Sequence, residues 1–444
     1  VNAREGALRV LYDVEVNEAY SNIALNKELK QYKYSQLDKG FLTELVYGVL
    51  ENVIYIDHVI KQFSSVKLKK IHPYTLILLR LGIYQILFLD KIPASAAVNE
   101  SVNLAKKYNK QTSGFVNAIL RNTIRNDKAI KMPDKEKETV KYLSITYSHP
   151  EWMVEQFLKH FSLDFTEELL KANNETPELN LRVNTLKISV DECIKLLKEQ
   201  GFEVQQNPYI KEALTLNNVT SLQDFQLLKE GYLYIQDFGS MLIARVMDPK
   251  EEDFIIDVCS APGGKTTHMA QLMKNKGKIL ARDVHDHKLK LIKKNAKTLG
   301  INIIKTEAFN GKELDENLID MADGVLVDAP CSGFGIIRRK PEIKYRKKPD
   351  DLKEITEMQL EILVKASKYV KPKGYLVYST CTVEPSENIG IIERFLANND
   401  KFKLVNVGKE YSDLIPGEPQ GETVQLYPNT HKTDGFFIAK LQRK

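Results

Sequence analysis

GVLVDAPCSG (Gly324–Gly333) is the stretch on which the reading of this 444-residue chain turns. It is an apolar, β-branched run of strand length that ends in a cysteine and is bounded by glycine and turn-forming residues. Fifty residues further on, GYLVYSTCTV (Gly374–Val383) has the same build. Set side by side in a parallel sheet, the two strands bring Cys331 and Cys381 to one carboxyl edge, where open α/β sheets bind ligands. Neighbouring strands lie about 4.8 Å apart, so the two thiols face one bound molecule, with Asp328 three positions before the first.

Around these strands, residues 231–444 alternate strand and helix in the manner of a doubly wound sheet. The predicted strands are DFIIDVCS, GKILARDV, INIIKTEAF, GVLVDAPC, GYLVYSTC and a late pair at KLVNV and FFIAKL. The first of them runs into SAPGGKTTHMAQL. There Gly263 and Gly264 let the backbone approach a ligand, and the following helix aims its N-terminus at it. Asp283 ends the next strand twenty residues after Gly263, the spacing at which an acid accepts from a ribose diol. The loop is neither GxGxxG nor a P-loop, because GGKTT lacks the earlier glycine. That disfavours a dinucleotide or a triphosphate. S-adenosylmethionine, a nucleoside with an amino-acid tail, fits better, with Lys265 and the helix N-terminus toward its carboxylate and Asp283 toward its ribose.

Upstream, residues 1–143 read as helices only, with apolar residues at three- and four-residue spacing, as in FLTELVYGVLENVIYIDHVIKQF and YTLILLRLGIYQILFLD. KMPDKEKETVKY reads as the linker that closes this unit. Residues 144–230 read as a small α+β module. Ser148 is expected to cap the helix of HPEWMVEQFLKHF, Ser189 to start and Gly201 to end that of SVDECIKLLKEQ. Its strands are LNLRVNTLK, FEVQQ and ALTLN. Cys193 reads as a core thiol, while Arg182 and Asn184 fit either an RNA contact or a strand edge.

Composition narrows the function classes. Residues 1–150 hold 22 Lys and Arg against 15 Asp and Glu, a charge of +7, and the remainder holds 42 against 44, or −2. A basic helical unit joined to a near-neutral one suggests an anionic partner, nucleic acid most plausibly. The four cysteines form no C-x-x-C pair, and His285-x-His287 alone suggests no metal site, so neither disulfides nor a metal are expected. No stretch reads as a signal peptide or as long enough to cross a bilayer. A cytoplasmic protein without a membrane partner is the expectation.

The cysteine pair suits one kind of chemistry. Carbon 5 of cytosine is a poor nucleophile until a thiolate adds at carbon 6 and turns the ring into an enamine. A carboxyl group eases that addition at ring nitrogen 3, and a second group helps expel the sulfur afterwards. Asp328, Cys331 and Cys381 supply this set. A thiol attacks as thiolate, and Cys381 stands just before a helix expected from about Pro385, whose N-terminal dipole favours that form. Between Arg338 and Lys348 stand seven basic residues against Glu342, with Tyr345 interleaved. Of these, Arg338, Arg339, Lys340, Lys344 and Arg346 are the candidates for a phosphate-gripping loop.

The segments DVCSAPGGKT, DAPCSG, STCT and DGFF, in that order behind RVNTLK and IQDFGSMLIA, resemble the RsmB/NOP family of RNA cytosine-5 methyltransferases. The helix order with PASAAVNESV and GFVNAILRN resembles the NusB-like RNA-binding domain. That fusion is similar to the small-subunit rRNA members of the family. The resemblance implies a multidomain chain: an all-α NusB-like domain, a small α+β RNA-binding module and an α/β Rossmann-like class I methyltransferase domain. It implies Cys381 as nucleophile, Cys331 as the residue assisting product release, and Asp328 touching both cofactor and base. It places S-adenosylmethionine against Cys259, Ser260, Ala261, Pro262, Gly263, Gly264, Lys265 and Asp283. Asn310 stands where the family usually has an aspartate for the adenine end; its amide oxygen still accepts but carries no charge. The implied partner is 16S rRNA, naked or in early assembly, at cytosine 967, met by a monomer. The same chemistry on tRNA or 23S rRNA, and a non-catalytic RNA-binding assembly factor, are the alternative readings.

Overall fold

A computed structural model describes residues 2–217, 219, 225–417 and 421–444. It divides into two compact units. One comprises Val1–Glu175 with Ile337–Lys347, the other Thr176–Ile336 with Lys348–Lys444.

The first unit is helical throughout its described residues, as periodicity predicts. Asn2 caps the opening helix, Ala3–Glu15, its side chain accepting from Arg4 N at 2.8 Å. The most apolar helix, Pro73–Phe88, starts with proline in its first turn and is buried from Ile77 to Gln85. Its one charge, Arg80, forks onto Asp57 with two bonds of 2.8 Å and reaches Glu15 at 2.5 Å, so the buried guanidinium is matched by two carboxylates. None of the helices among the described residues is long and apolar enough to cross a membrane.

This unit extends further than the expected boundary at 143. The supposed linker enters a helix, Thr139–Tyr147, and Ser148 ends it in the left-handed region (φ 55°) instead of capping the next helix. Pro150 holds that N-cap position. The Ser148 hydroxyl accepts from Ile54 N at 2.8 Å, and Asn174 donates to the Tyr147 carbonyl at 2.7 Å. Those bonds fasten the segment up to Glu175 onto the helices.

The second unit opens with a small antiparallel sheet in the order β2-β3-β1-β4, built from β1 (Leu179–Val183), β2 (Glu203–Gln206), β3 (Ala213–Asn217) and β4 (Leu233–Ile235). Ser189 and Glu192 form a capping box at the start of Val190–Glu199, and Gly201 follows that helix at φ 85°. Cys193 is buried there, and burial pushes its thiol up to about 11. β4 lies past the expected boundary at 230. Arg182 and Asn184 are buried too and sit at no exposed strand edge: Asn184 donates to the Gly231 and Leu299 carbonyls, both at 2.8 Å.

The main sheet holds β5 (Phe254–Asp257), β6 (Lys278–Asp283), β7 (Ile304–Ala308), β8 (Ala322–Asp328), β9 (Val370–Thr380), β10 (Phe402–Leu404), β11 (Val424–Leu426) and β12 (Phe436–Arg443). Its order is β10-β12-β9-β8-β5-β6-β7, with β11 also on β12. β9, β8, β5, β6 and β7 are parallel to their neighbours, whereas β12 runs antiparallel beside β9 and carries β10 and β11. Side chains alternate between two cores with period two. Leu326, Val377 and Ile438 join Phe238–Met247 and Met269 on one face. Val325, Val327, Leu376 and Tyr378 join Ile362, Leu363, Ile391 and Phe395 on the other.

Candidate active site

Three aspartates end three strands of this sheet: Asp257 on β5, Asp283 on β6 and Asp328 on β8. β5 and β8 are neighbours, as are β5 and β6, so the carboxylates collect at one carboxyl edge.

The loop between β5 and the helix Gly264–Leu272 turns at Gly263, which has φ 100°. A side chain there would be strained, and its Cβ would come within 3.3 Å of Ile292. Ser260 fastens the loop to β6, with its amide and its hydroxyl both donating to the Arg282 carbonyl at 2.8 Å. A cleft of about 170 Å³ opens over the loop, lined by Cys259, Ser260, Ala261, Pro262, Gly264 and Lys265, by Asp257 and Asp328, and by Tyr234, Ile235, Gln236, Asp237 and Ser240.

Lys265 donates to Asp328 Oδ2 at 2.7 Å, and Ser379, at the matching position of β9, donates to Oδ1 at 2.9 Å. Burial works against the Lys265 charge, yet Asp328 and, behind it, Cys381 hold its pKa above the ordinary lysine value. Lys265 is thus engaged with Asp328. Asp257 accepts from Thr266 at 2.6 Å, and its other oxygen is buried without a partner. Burial pushes its carboxyl up to about 7. Burial likewise raises the Cys259 thiol.

Cys331 and Cys381 meet at the end of β8 and β9, Sγ to Sγ at 3.2 Å. The hydrogen bond to Cys381, then burial, push the Cys331 thiol well up. The helix expected from about Pro385 is displaced. The structure has only a 3₁₀ turn at Pro385–Glu387, with the helix starting at Ile389, so no α-helix N-terminus directly follows the Cys381 thiol.

Asp283 is nearly buried and accepts from His285 N at 3.0 Å. Asn310 follows β7, where its Oδ1 accepts from Lys312 N at 3.1 Å. Gly263, Asp283, Asn310 and the two paired cysteines border the edge without lining the cleft itself. Tyr234, Gln236, Asp237, Ser240 and Asp257 line it, and sequence reasoning does not single them out. Asp257 was open to discovery, since it ends its strand as Asp283 and Asp328 end theirs.

The basic run after Cys331 requires a correction. Residues 337–347 belong to the helical unit. Lys344 is fully buried, donating to the Glu51 carbonyl at 2.8 Å and to Asn174 at 2.9 Å. Arg346 donates to the carbonyls of Val14 and Ala19 at 3.1 and 2.6 Å. Neither is an exposed phosphate-gripping side chain. Arg338 is also buried, while Arg339 and Lys340 are half-buried, Lys340 lying over the Tyr20 ring.

Comparison with known proteins agrees with this architecture. The family described as "16S rRNA methyltransferase RsmB/F" matches residues 244–442, the NusB family residues 1–125, and the ferredoxin-like domain of RsmF/B-like methyltransferases residues 149–223. A probable ribosomal RNA small subunit methyltransferase B of Bacillus subtilis is 38% identical, over 100% of this chain and 99% of its own length. The crystal structure of PH0851 superposes with a TM-score of 0.85 at 29% identity, covering 100% of this chain and 99% of that one. NSun6 from Pyrococcus horikoshii, solved with SFG, gives 0.59 at 26% identity over 66% of this chain and 98% of its own. With a relative this similar along its whole length, and with the NusB, ferredoxin-like and methyltransferase matches following one another along it, the chain belongs to the 16S rRNA methyltransferase RsmB/F family.

Proposed function

We propose that this chain uses S-adenosylmethionine to methylate carbon 5 of a cytosine in small-subunit rRNA, cytosine 967 by family likeness, through an adduct between Cys381 and carbon 6. The observation that carries this reading is the thiol pair, 3.2 Å apart beside the Lys265–Asp328 ion pair. The relatives' names support the rRNA substrate, and SFG, an analogue of S-adenosylmethionine, in the NSun6 structure supports the cofactor.

The cleft suits that cofactor. Asp257 has a buried oxygen without a partner, and the Gly264 helix N-terminus favours a carboxylate. A bound S-adenosylmethionine supplies a methyl group made electrophilic by its sulfonium charge. The loop residues Cys259–Lys265 hold it in this reading, with Asp283 toward its ribose and Asn310 toward its adenine.

On the RNA side, the Cys381 sulfur adds to carbon 6 as a thiolate. Asp328, fixed as an acceptor between Lys265 and Ser379, accepts from nitrogen 3, which takes a proton from water as the addition places charge on it. Carbon 5, now part of an enamine, takes the methyl group and then gives its proton to water, and the freed electron pair forms the carbon 5–carbon 6 double bond. The carbon–sulfur bond breaks and the electron pair returns to Cys381 Sγ. Cys331, kept protonated, donates its S–H to that departing sulfur.

The test is a map of 5-methylcytosine across rRNA and tRNA in cells with and without this protein. Loss of one site in 16S rRNA is expected. Loss in tRNA or 23S rRNA instead would reassign the substrate, and an unchanged map would discard the activity.

A further inference from the structure

Strand register does not by itself put the two thiols together. Asp328 on β8 pairs with Ser379 on β9. Continued, that register would set Pro330 opposite Cys381 and leave Cys331 one residue out of step. Both cysteines lie beyond the last residue of their strands, so something past the sheet must hold them at 3.2 Å.

One buried carboxylate meets the residue after each cysteine. Ser332 donates to Glu387 through its amide at 2.8 Å and its hydroxyl at 2.5 Å. Thr382 donates to the same carboxylate at 3.3 Å, and the Ser332 and Thr382 hydroxyls are 2.8 Å apart. Gln359 bridges Glu387 and the Pro330 carbonyl, each at 2.9 Å. The Glu387 backbone is held in turn by the Tyr378 hydroxyl on β9 at 2.7 Å. Next to it, Asn388 accepts from Thr380 and donates to the Thr382 carbonyl, gripping both sides of Cys381. Glu387, Ser332 and Thr382 are all buried.

A buried carboxylate is costly unless donors surround it, and a fully satisfied polar network makes its surroundings rigid. Here burial raises the Glu387 carboxyl, while Ser332 and Gln359 counter that rise. The donors come from the two cysteine loops and from the helix Pro349–Ser367 behind them.

We propose that Glu387 is a positioning residue for the thiol pair: by clasping Ser332 and Thr382 with one carboxylate, it sets the separation and direction of Cys331 Sγ and Cys381 Sγ. This rests on the reading of the two cysteines as the reacting pair. Glu387 touches neither base nor cofactor in this role and acts through the loops. Its charge also helps keep Cys331 protonated, after the hydrogen bond to Cys381 and burial.

The test uses the full chain with Glu387→Ala, Glu387→Asp and Glu387→Gln, and two readouts. Phenylarsine oxide exchanges its oxygen for two neighbouring thiols with loss of water, so its affinity reports their spacing without any methylation. Single-turnover and steady-state methylation report the reaction. Displacement of a reacting group by about 1 Å costs on the order of 100-fold. Both Glu387→Ala and the shorter Glu387→Asp should therefore lower kcat by about that factor and weaken arsenical binding, with the RNA KM and cofactor affinity unchanged. Glu387→Gln keeps the reach, and its amide can donate to hydroxyls that now accept, so it should recover both. That rescue, and the defect of the charge-preserving Glu387→Asp, separate reach from charge. Should Glu387→Ala fail to fold, the comparison of Asp with Gln decides alone. Undiminished arsenical binding in the Ala and Asp variants would overturn the positioning role, whatever their activity. Weakened arsenical binding beside a wild type that methylates no cytosine would leave the role standing and remove the functional reading.

Discussion

Asp257, Asp283 and Asp328 occupy equivalent strand ends, yet their surroundings give them different chemistry. Asp328 has a lysine and a serine, Asp283 has a backbone amide, and Asp257 has a threonine and one bare oxygen. With burial pushing Asp257 to about 7, the folded chain keeps a proton there that the unfolded chain gives up at about pH 3.9. The folded pKa is raised, so this group favours folding in acid, and its contribution falls as pH climbs from about 4 to about 7. Asp257→Asn should remove that downward trend, which urea unfolding at pH 5 and pH 8 would register; an unaltered trend would mean that Asp257 is ionised when folded. The two cysteines divide by neighbourhood as well. Cys381→Ala should bind RNA and cofactor yet form neither methylcytosine nor an adduct. Cys331→Ala should accumulate a protein–RNA species that survives denaturing electrophoresis, because the attacking thiol remains while the S–H that helps expel it is gone. Trapping by Cys381→Ala instead would exchange the roles. Asp283 and Asp328 were legible in the sequence because each ends a strand, and Cys331 and Cys381 because each closely follows one. Glu387 was not: its meaning lies in donors 55 and 28 positions away, a distance over which no motif speaks.

At the scale of elements, the strands of the parallel core stood out, since β-branched runs between turns have few other uses. β11 did not: Val424–Leu426 is three residues long and pairs only along β12. The segment 337–347 misled for a different reason. Basic composition says that cations are present, and says nothing about whether they point to phosphate or to carbonyl groups. Here Tyr345 donates to the Leu50 carbonyl, and Glu342 accepts from the amide and hydroxyl of Ser21 at the head of Ser21–Gln31, an anion at a helix N-terminus. Lys344 is pulled down to about 7 by burial, with Glu51 opposing. Its folded pKa lies below the unfolded value of about 10.4, so the unfolded chain binds the extra proton between those limits and stability rises with pH across them. Lys344→Met should abolish that rise between about pH 7 and 10. Thermal unfolding midpoints at pH 7.5 and 9 would show it, and an equal gain in wild type and variant would mean that Lys344 stays charged when buried.

On the scale of the whole chain, charge remains the guide to how RNA is held, but it must be counted on exposed residues. With Lys344 buried and Arg346 turned to carbonyls, the excess of +7 in residues 1–150 is the larger reservoir. Lys69, Lys70, Lys106 and Lys110 are exposed on the helical unit. Cations that neutralise phosphates release condensed counterions, so affinity falls with salt at a slope of about 0.7 per neutralised phosphate for single strands. Reversing these four lysines to glutamate should weaken RNA binding and flatten the dependence on log salt by up to about 0.7 for each phosphate left unneutralised. Reversing Arg339 and Lys340 should have a smaller effect, as both are already half-buried. Cofactor affinity, which the proposed function assigns to the cleft of the other unit, should not move. Filter binding across a salt series, with calorimetry for the cofactor, separates the cases. A slope unchanged by the four reversals would assign the basic excess to solvation alone, and a larger loss from Arg339 and Lys340 would return the grip on phosphate to the segment beside Cys331.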